Sequence, residues 1–244
     1  MNVLIACEES QRVCMAFRER GHEAFSCDIQ PCSGGHPEWH IQTDCMNLIY
    51  PKILLCSMEM DKPDEMWGEF KTQDGKVHEL PPRWDLIIAH PPCTYLSAAS
   101  AVRLFGKNHT IKDLDRYMKM QEAARFFKKI LRADCDRIAV ENPVPLRIAG
   151  LPGYSQMIEP YFFGDPWKKR TCLWLRGLPM LYPTDMVEPE GYWIGAHGHD
   201  KAKKGMSKGF RDQKTRSKTF PGIARAMAEQ WGADGGTYKN SMEV

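Results

Sequence analysis

Apolar runs alternate with helical stretches at the start of the chain, which indicates an α/β fold. Residues 2–7 (NVLIAC) are long enough for a buried strand, and residues 23–29 (EAFSCDI) have the pattern of a second strand. Between them, residues 11–20 place apolar side chains at helical spacing, and Gly21 is a suitable C-terminal stop. A strand, a helix and a strand in so short a stretch predict a right-handed βαβ unit and a parallel sheet.

The rest of the chain continues this pattern to about seven strands. Helices are predicted at 112–132 and at 221–231, where Pro221 occupies the first helical position. Together these elements predict a doubly wound, Rossmann-like sheet with a small, basic, loop-rich insertion. The further predicted strands are 41–44, 84–90, 137–142, 156–163 and 171–177. An antiparallel arrangement of the last two is one option.

The composition is that of a soluble globular protein. Hydrophobic residues make up 43% of the 244 residues and charged residues 26%, which excludes collagen, a coiled coil and full-length disorder. No apolar run approaches the roughly 18 residues that span a bilayer. The nine cysteines are odd in number and irregularly spaced, and the N-terminus does not resemble a signal peptide. We therefore expect reduced thiols and a cytoplasmic location.

The net charge of +2 is unevenly distributed. Residues 197–218 contain eight lysines and arginines and two aspartates, a local charge of +6, which leaves the rest of the chain at −4. Such a run is usually a solvated loop, but it can also contact nucleic-acid phosphates. The candidate phosphate-binding residues are Lys201, Lys203, Lys204, Lys208, Arg211, Lys214 and Arg216.

Residues that follow the strands are the candidates for chemistry, because ligands of doubly wound sheets bind beyond the carboxyl ends of the strands. Pro91-Pro92-Cys93 follows the strand 84–90, and the two prolines stiffen the turn. Cys93 would then face the crevice, where a helix beginning just after it would lower the pKa of its thiol. Glu141-Asn142 ends the next strand. Each motif alone could be structural, but together they indicate a nucleophile beside a proton donor.

Four motifs follow one another along the chain: Pro92-Cys93, Glu141-Asn142, residues 164–171 and residues 221–228. In this order they resemble the nucleophile, Glu-Asn-Val, Gly-x-Pro-Gln-x-Arg-x-Arg and closing-helix motifs of the DNA cytosine-5 methyltransferases. Pro143 stands where that family has Val. The stretches ACEESQRV, SCDIQPCSGGHPEWHI, AHPPCTYLS and KRTCLWLRGLP resemble more closely a compact branch that is common in bacteriophage and prophage genomes.

The resemblance implies methyl transfer from S-adenosylmethionine to carbon 5 of cytosine in DNA. The Cys93 thiolate would add to carbon 6 of a cytosine flipped out of the duplex, and Glu141 would hold the ring at nitrogen 3 and the amino group. Asn142 would orient the Cys93 loop. Lys169 or Arg170 would support the base or its phosphate. The oligomeric state is left open.

The resemblance also implies a cofactor site at the ends of the first strands. Asp28 would accept bonds from the ribose hydroxyls, and Asp44 would lie near the adenine amino group, with loop capping as the alternative for both. The first loop lacks the family's glycines, so Ser10 could cap the helix while Glu8 or Glu9 meets the cationic cofactor. The expected cofactor-binding residues are Cys7, Glu8, Glu9, Ser10, Asp28, Ile29, Asp44 and Pro91.

The resemblance divides the chain into three parts. Residues 1–176 would form the catalytic domain, with residues 57–83 as a surface excursion. Residues 177–219 would be a reduced, basic target-recognition segment, and residues 220–244 a closing helix that returns to the catalytic domain, plus a tail. A segment this short predicts short-sequence or relaxed recognition, help from a partner, or a free nucleotide substrate.

Other functions fit parts of the same pattern. The same chemistry could act on a cytosine nucleotide, or the chain could be a catalytically silent DNA-binding relative. His90-Pro-Pro-Cys93 also resembles the Asp/Asn-Pro-Pro-Tyr motif of amino-directed methyltransferases, in which the aromatic ring stacks on the base. Cysteine cannot stack, although Tyr95 is close by, and the Glu141-Asn142 motif is then unexplained.

A metal site is the remaining alternative, and we expect none. Cys27, Cys32, His36 and His40 do not have a familiar zinc spacing, and Cys27 is expected to point into the sheet. The loop that contains His36 is instead expected to lie beside the cofactor, with Trp39 as an apolar or stacking face.

Overall fold

The computed structural model describes residues 1–50, 68–72, 74–192 and 213–233. Its strands are β1 (Asn2–Ala6), β2 (Glu23–Asp28), β3 (His40–Gln42), β4 (Gly68–Lys71), β5 (Val77–Leu80), β6 (Leu86–Ala89), β7 (Ile138–Pro143), β8 (Gln156–Ile158), β9 (Trp167–Lys168), β10 (Thr171–Arg176) and β11 (Gly191–Tyr192). Its α-helices are α1 (Arg12–Arg18), α2 (Met46–Ile49), α3 (Ala101–Leu104), α4 (Leu114–Leu131), α5 (Gln213–Ser217) and α6 (Pro221–Gly232).

Seven strands form one central sheet in the order β3-β2-β1-β6-β7-β10-β8. The first five are parallel to their neighbours, whereas β10 runs antiparallel to both β7 and β8. These are the seven segments that the apolar runs predict, and the antiparallel option for the last two is confirmed. The chain is therefore an α/β protein with a mostly parallel sheet, compatible with a Rossmann-like fold.

Side chains alternate across this sheet, and helices cover both faces. On β1, Leu4 joins a buried cluster with Phe127 of α4, while Ile5 joins a second cluster with Phe17 of α1 and Trp231 of α6. Successive residues of a strand point to opposite faces, so a strand that is buried on both sides needs the continuous apolar run that the sequence shows.

Two local expectations need correction. Part of the predicted surface excursion 57–83 is a two-stranded hairpin of β4 and β5, and residues 57–67 lie outside the described residues. The predicted loop 177–219 contains the short strand β11 and the helix α5 in its described parts. Local polarity hid these elements, because they are short and partly exposed.

The last helix packs closely on the sheet and on the segment that follows β10. Trp231 is fully buried, and its indole N–H donates to the carbonyl of Pro179 at 3.1 Å. At the other end of α6, a Cβ on Gly222 would lie 1.8 Å from the carbonyl oxygen of Phe163. The fold thus requires glycine at this helical position because the backbone at Phe163 occupies the space of a side chain.

In the part of the chain that the structure describes, no helix is both long and apolar enough to cross a bilayer.

Replacing Gly222 with alanine should lower the free energy of unfolding by about 2–3 kcal/mol, because the new methyl group must displace backbone. The measurement is urea unfolding followed by circular dichroism. Gly153→Ala is the matched control, since a Cβ there meets no atom within 4 Å, and its effect should stay within about 0.5 kcal/mol. Equal effects of the two substitutions would contradict the close approach.

Candidate active site

Neighbouring strand ends bring the predicted chemical residues to one edge of the sheet. Strands β6 and β7 are parallel neighbours, and Ala89 pairs with Val140. Cys93 comes four residues after Ala89 and Glu141 directly after Val140, so both lie near the same end of the two strands. Strand β10 is antiparallel to β7 and pairs Thr171 with Pro143. Residues that precede β10 therefore reach the same edge as residues that follow β6, and Lys169 is one of them.

A buried ion pair joins the first two strand ends. The Nδ1 atom of His90 lies 2.8 Å from Oε2 of Glu141, and each side chain is only 11% exposed. Burial alone would lower the pKa of His90, but the hydrogen bond and the negative charge of Glu141 outweigh it and raise that pKa. His90 has no role in the expectations from the sequence, although its position between β6 and Pro91 places it at the same strand end as the candidate nucleophile.

Glu141 is held as a carboxylate. Burial alone would raise its pKa, but the hydrogen bond from His90 and the charges of His90 and Lys169 lower it below the ordinary value. The hydroxyl of Thr219, 3.5 Å from Oε2, acts in the same direction. Both shifts favour a proton on His90 and a negative charge on Glu141.

Cys93 is a half-buried thiol, and the predicted lowering of its pKa is wrong. Burial raises the pKa, and the charges of Lys169 and Arg216 offset this only in part. The backbone explains the difference. Instead of a helix starting at once, a turn follows in which the N–H groups of Leu96 and Ser97 bond to the Cys93 carbonyl. No helix end therefore points at the sulfur.

Asn142 holds the nucleophile loop. Its side chain is buried, and its Nδ2 donates to the carbonyl of Pro91 at 2.8 Å. This is the contact that the predicted role in orienting the Cys93 loop requires. The side-chain oxygen of Asn142, Oδ1, is buried and has no hydrogen-bond partner among the described residues, so it is able to accept a bond from a ligand.

Of the two cations predicted to support the base or its phosphate, Lys169 reaches the site. Lys169 is buried, its backbone N–H donates to Glu159 at 2.6 Å, and its ammonium lies 5.7 Å from the centre of the Phe220 ring. Arg170 points outward: its side chain is 65% exposed and its Nε lies 4.0 Å from the Glu159 carboxylate. Arg170 is therefore not brought to Cys93.

The end of the basic segment reaches the edge of the sheet that carries Cys93. Arg216 acts electrostatically on Cys93, and its Nε is buried with no hydrogen-bond partner in the described ranges. Lys218 donates to the hydroxyl of Ser33 at 3.1 Å, and the carbonyl of Thr219 accepts from Arg12 at 2.7 Å. Lys214 lies in α5, but its side chain is outside the described part of the structure. The predicted residues outside the described ranges are Lys201, Lys203, Lys204, Lys208 and Arg211.

At the end of β1, Glu8 caps helix α1. Its two carboxylate oxygens accept the backbone N–H groups of Val13 and Cys14 at 2.7 and 3.2 Å. Ser10, which the sequence suggested as the cap, makes no capping bond. A carboxylate suits this place because it satisfies orphan N–H groups and complements the helix dipole. Both oxygens of Glu8 are thereby occupied by the backbone of α1, so of the two predicted acids Glu9 is the one able to bind a ligand.

Glu9, in the same loop after β1, has an unsatisfied side-chain oxygen. Its Oε2 is buried and has no hydrogen-bond partner within the described ranges, while its charge raises the pKa of Glu8 and of Asp28. Cys7 beside it has a φ of 59°, a strained value for a non-glycine residue, and its Sγ lies 3.8 Å from Sγ of Cys45. Backbone strain of this kind is typical of ligand-binding loops.

The other predicted cofactor residues lie at the ends of β2 and β3. Asp28 accepts from the N–H of Gln30, and Asp44 accepts from the N–H of Met46, both at 2.9 Å, so each carboxylate caps a turn and keeps one oxygen outside that bond. Ile29 is 73% exposed. The sequence missed Gln11, whose buried amide bonds both the N–H and the carbonyl of His36 and so fixes this loop.

The residues considered for a metal are engaged separately. Cys27 is buried in the sheet, as predicted, and donates to the Thr43 carbonyl, while His40 bonds to Ser26 and to the Gln30 carbonyl. His36 stacks on Trp39 with ring centres 3.9 Å apart. No group of three His, Cys, Asp or Glu side chains that could hold a metal occurs among the described residues.

Neither a protein-family model nor a curated protein matches this chain. Function is therefore inferred from the site itself.

Alkylation by iodoacetamide tests the charges around Cys93. Because burial raises the pKa of this thiol, its alkylation rate should rise about tenfold per pH unit from pH 7 to pH 9 without a plateau. Lys169→Met should slow the reaction about tenfold at each pH, equivalent to one pKa unit. Mass spectrometry of the peptide that contains Cys93 measures the rate.

Arg170→Met is the control for this experiment, because it removes a neighbouring cation that points to solvent. Its rate should match that of the unmodified protein. A plateau at neutral pH, or equal slowing in both variants, would contradict the charge arrangement described for Cys93.

Proposed function

We propose that this protein is a DNA cytosine-5 methyltransferase, which transfers the methyl group of S-adenosylmethionine to carbon 5 of cytosine. The observation that carries the proposal is the meeting of a thiol, a buried carboxylate and a buried ammonium at one edge of the sheet. Cys93, Glu141 and Lys169 come from three separate strand ends, and their charges act on one another. A nucleophile beside groups that bind a ring and its developing charge suits addition to a pyrimidine.

Each group has a task that its surroundings support. The Cys93 sulfur attacks carbon 6, while Lys169 and Arg216 stabilise the thiolate whose formation burial opposes. Glu141 binds nitrogen 3 and the amino group of the ring. Asn142 holds the carbonyl of Pro91 and thereby the position of Cys93. Because these groups are largely buried, duplex DNA would have to present a flipped-out cytosine.

The sheet supports the same family assignment at the level of the fold. We propose that its five parallel strands, followed by β10 in antiparallel orientation, form the Rossmann-like methyltransferase sheet that the motif order implies. The nucleophile then follows β6 in the middle of the sheet. The acidic crevice at the ends of β1 and β2 adjoins it, because β1 pairs with β6.

The crevice fits a cationic cofactor. S-adenosylmethionine supplies an electrophilic methyl group when bound, and it carries an ammonium and a sulfonium charge. The orphaned Glu9 oxygen is a buried acceptor suited to the ammonium, and Asp28 keeps an oxygen for a ribose hydroxyl. Ile29 offers an exposed apolar face for the adenine ring. Glu8, engaged with α1, is left out of this set.

DNA containing 5-fluorocytosine tests the proposed reaction. A base can remove hydrogen from carbon 5 as a proton but cannot remove fluorine in this way, so elimination is blocked. A covalent adduct should therefore accumulate when S-adenosylmethionine is present. Intact-mass spectrometry and denaturing gels detect it. Cys93→Ala should abolish the adduct, whereas Cys135→Ala, at a thiol that bonds to the Trp84 carbonyl, should leave it intact.

The other outcomes of this assay contradict the proposal. An adduct that persists in Cys93→Ala would show that another residue is the nucleophile. Turnover of a free cytidine nucleotide with no adduct on any DNA would reassign the substrate. Failure to bind S-adenosylmethionine would leave a catalytically silent protein of this fold.

Glu9→Gln should weaken S-adenosylmethionine binding about 10- to 100-fold, because it removes a charge-assisted hydrogen bond of roughly 1.5–3 kcal/mol. Isothermal titration calorimetry measures the change. Glu19→Gln is the control, since Glu19 is exposed at the far end of α1 and should leave the affinity unchanged. Equal affinities for all three proteins would exclude Glu9 from the cofactor site.

A further inference from the structure

His90 is a largely buried imidazole with no assigned task. Its Nδ1–H points at Oε2 of Glu141 at 2.8 Å, and both side chains are almost fully removed from solvent. Its Nε2 is buried and has no hydrogen-bond partner in the described part of the chain. The charged groups that act on it are Glu141, Glu8 and Lys169. Two carboxylates and one ammonium leave a net negative surrounding, which favours the protonated ring.

The proposed reaction creates a need for this proton. When a thiolate adds to carbon 6 of cytosine, negative charge moves to nitrogen 3, which must be neutralised by a proton. Glu141 is the group placed to bind that nitrogen, but its own environment holds it ionised. An ionised carboxylate accepts hydrogen bonds and has no proton to give. Glu141 therefore needs a donor behind it, and His90 is in hydrogen-bond contact with it.

We propose that His90 is a positioning residue that acts through Glu141, supplying the proton that nitrogen 3 takes up during addition and recovering it during elimination. This inference rests on the proposed function. The His90 and Glu141 side chains would work as one unit that lends a proton to the ring. The hydroxyl of Thr219, at 3.5 Å from the same oxygen, would keep the carboxylate in line.

The electrons and protons of the addition step balance. The Cys93 thiolate forms the bond to carbon 6, the pair of the 5–6 double bond becomes a 4–5 double bond, and the pair of the 3–4 double bond moves to nitrogen 3. The Nδ1 proton of His90 passes to Glu141, and Glu141 passes a proton to nitrogen 3, so that the pair gives up one proton in all. His90 becomes neutral and Glu141 ends as a carboxylate. On elimination after methyl transfer, a general base takes the proton of carbon 5 and the pair of that C–H bond forms the 5–6 double bond. The sulfur then leaves as a thiolate, and nitrogen 3 gives its proton back to the pair.

The other polar neighbours are poorer donors. Thr219 carries a hydroxyl that does not ionise in this pH range. Lys169 has its ammonium over the Phe220 ring and acts on the pair through its charge. The proton of the Cys93 thiol leaves before the attack, when the thiolate forms. His90 alone combines contact with Glu141 and a proton that is readily exchanged near neutral pH.

The first test locates the proton. Nuclear magnetic resonance of protein with ¹⁵N-labelled histidine should show a His90 ring that stays protonated to higher pH than a free histidine. In Glu141→Gln that titration should move to lower pH, because the partner charge is lost. A His90 ring that is neutral at pH 6 in the unmodified protein would overturn the proposal.

The second test measures the addition step without the methyl donor. The probe is duplex DNA with 2-pyrimidinone in place of cytosine; this analogue keeps nitrogen 3 and a carbon 6 that accepts a thiolate. His90→Asn keeps an N–H donor at the place of Nδ1 but cannot titrate. Its adduct should form about 100-fold more slowly at pH 7, the effect of losing a positioned proton donor.

The pH profile separates this role from a structural one. In the unmodified protein, the adduct rate should level off above the pKa of His90, because the imidazolium fraction falls tenfold per unit while the thiolate fraction rises tenfold. In His90→Asn the rate should continue to rise up to the pKa of Cys93. His22→Asn, at the opposite edge of the sheet beside Phe17, should retain the original profile.

The outcomes distinguish the proposed proton relay from His90 through Glu141 from the proposed methyltransferase reaction itself. A profile of His90→Asn that matches the unmodified protein would overturn the relay and leave the proposed function standing. A folded, unmodified protein that forms no adduct with 2-pyrimidinone or 5-fluorocytosine DNA would overturn the proposed function, and the relay with it.

Discussion

The His90–Glu141 pair is the interaction on which the arrangement of the candidate site depends. Burying two opposite charges is costly, and the cost is met only if the geometry is good and neighbouring groups complete it. Here the neighbours are Lys169, before β10, and Thr219, before α6. Four distant parts of the chain must therefore converge before either charge is accommodated, so the site forms as the fold closes.

The reversed direction of one strand makes that convergence possible. Residues after β6 and β7 arrive at the carboxyl edge of the parallel strands. Strand β10 runs the other way, so the residues before it, Lys169 among them, arrive at the same edge. A parallel strand in this place would have sent Lys169 to the opposite edge. The cation of the site is thus a consequence of topology as much as of sequence.

The sequence predicted the parts of this structure that depend on local pattern. Buried strands are continuous apolar runs, so all seven central strands could be recognised, and Cys93 and Glu141 stood out because they follow strands. Long-range effects were missed. The pKa of Cys93 depends on burial, and the cap of α1 comes from Glu8 before the helix. The choice of Lys169 over Arg170 depends on which of the two side chains the fold buries.

The path of the chain after β10 is fixed by the direction of that strand. Strand β10 ends at the edge remote from Cys93, so the chain must travel back along the sheet. It does so through contacts of Leu181 with Gln156 and of Val187 with Tyr161, and β11 then pairs with β9 just before Lys169. Residues 178–192 are thereby used as a return path. Under the proposed function, the segment between that path and α5 that would remain for discriminating one base sequence from another is residues 193–212.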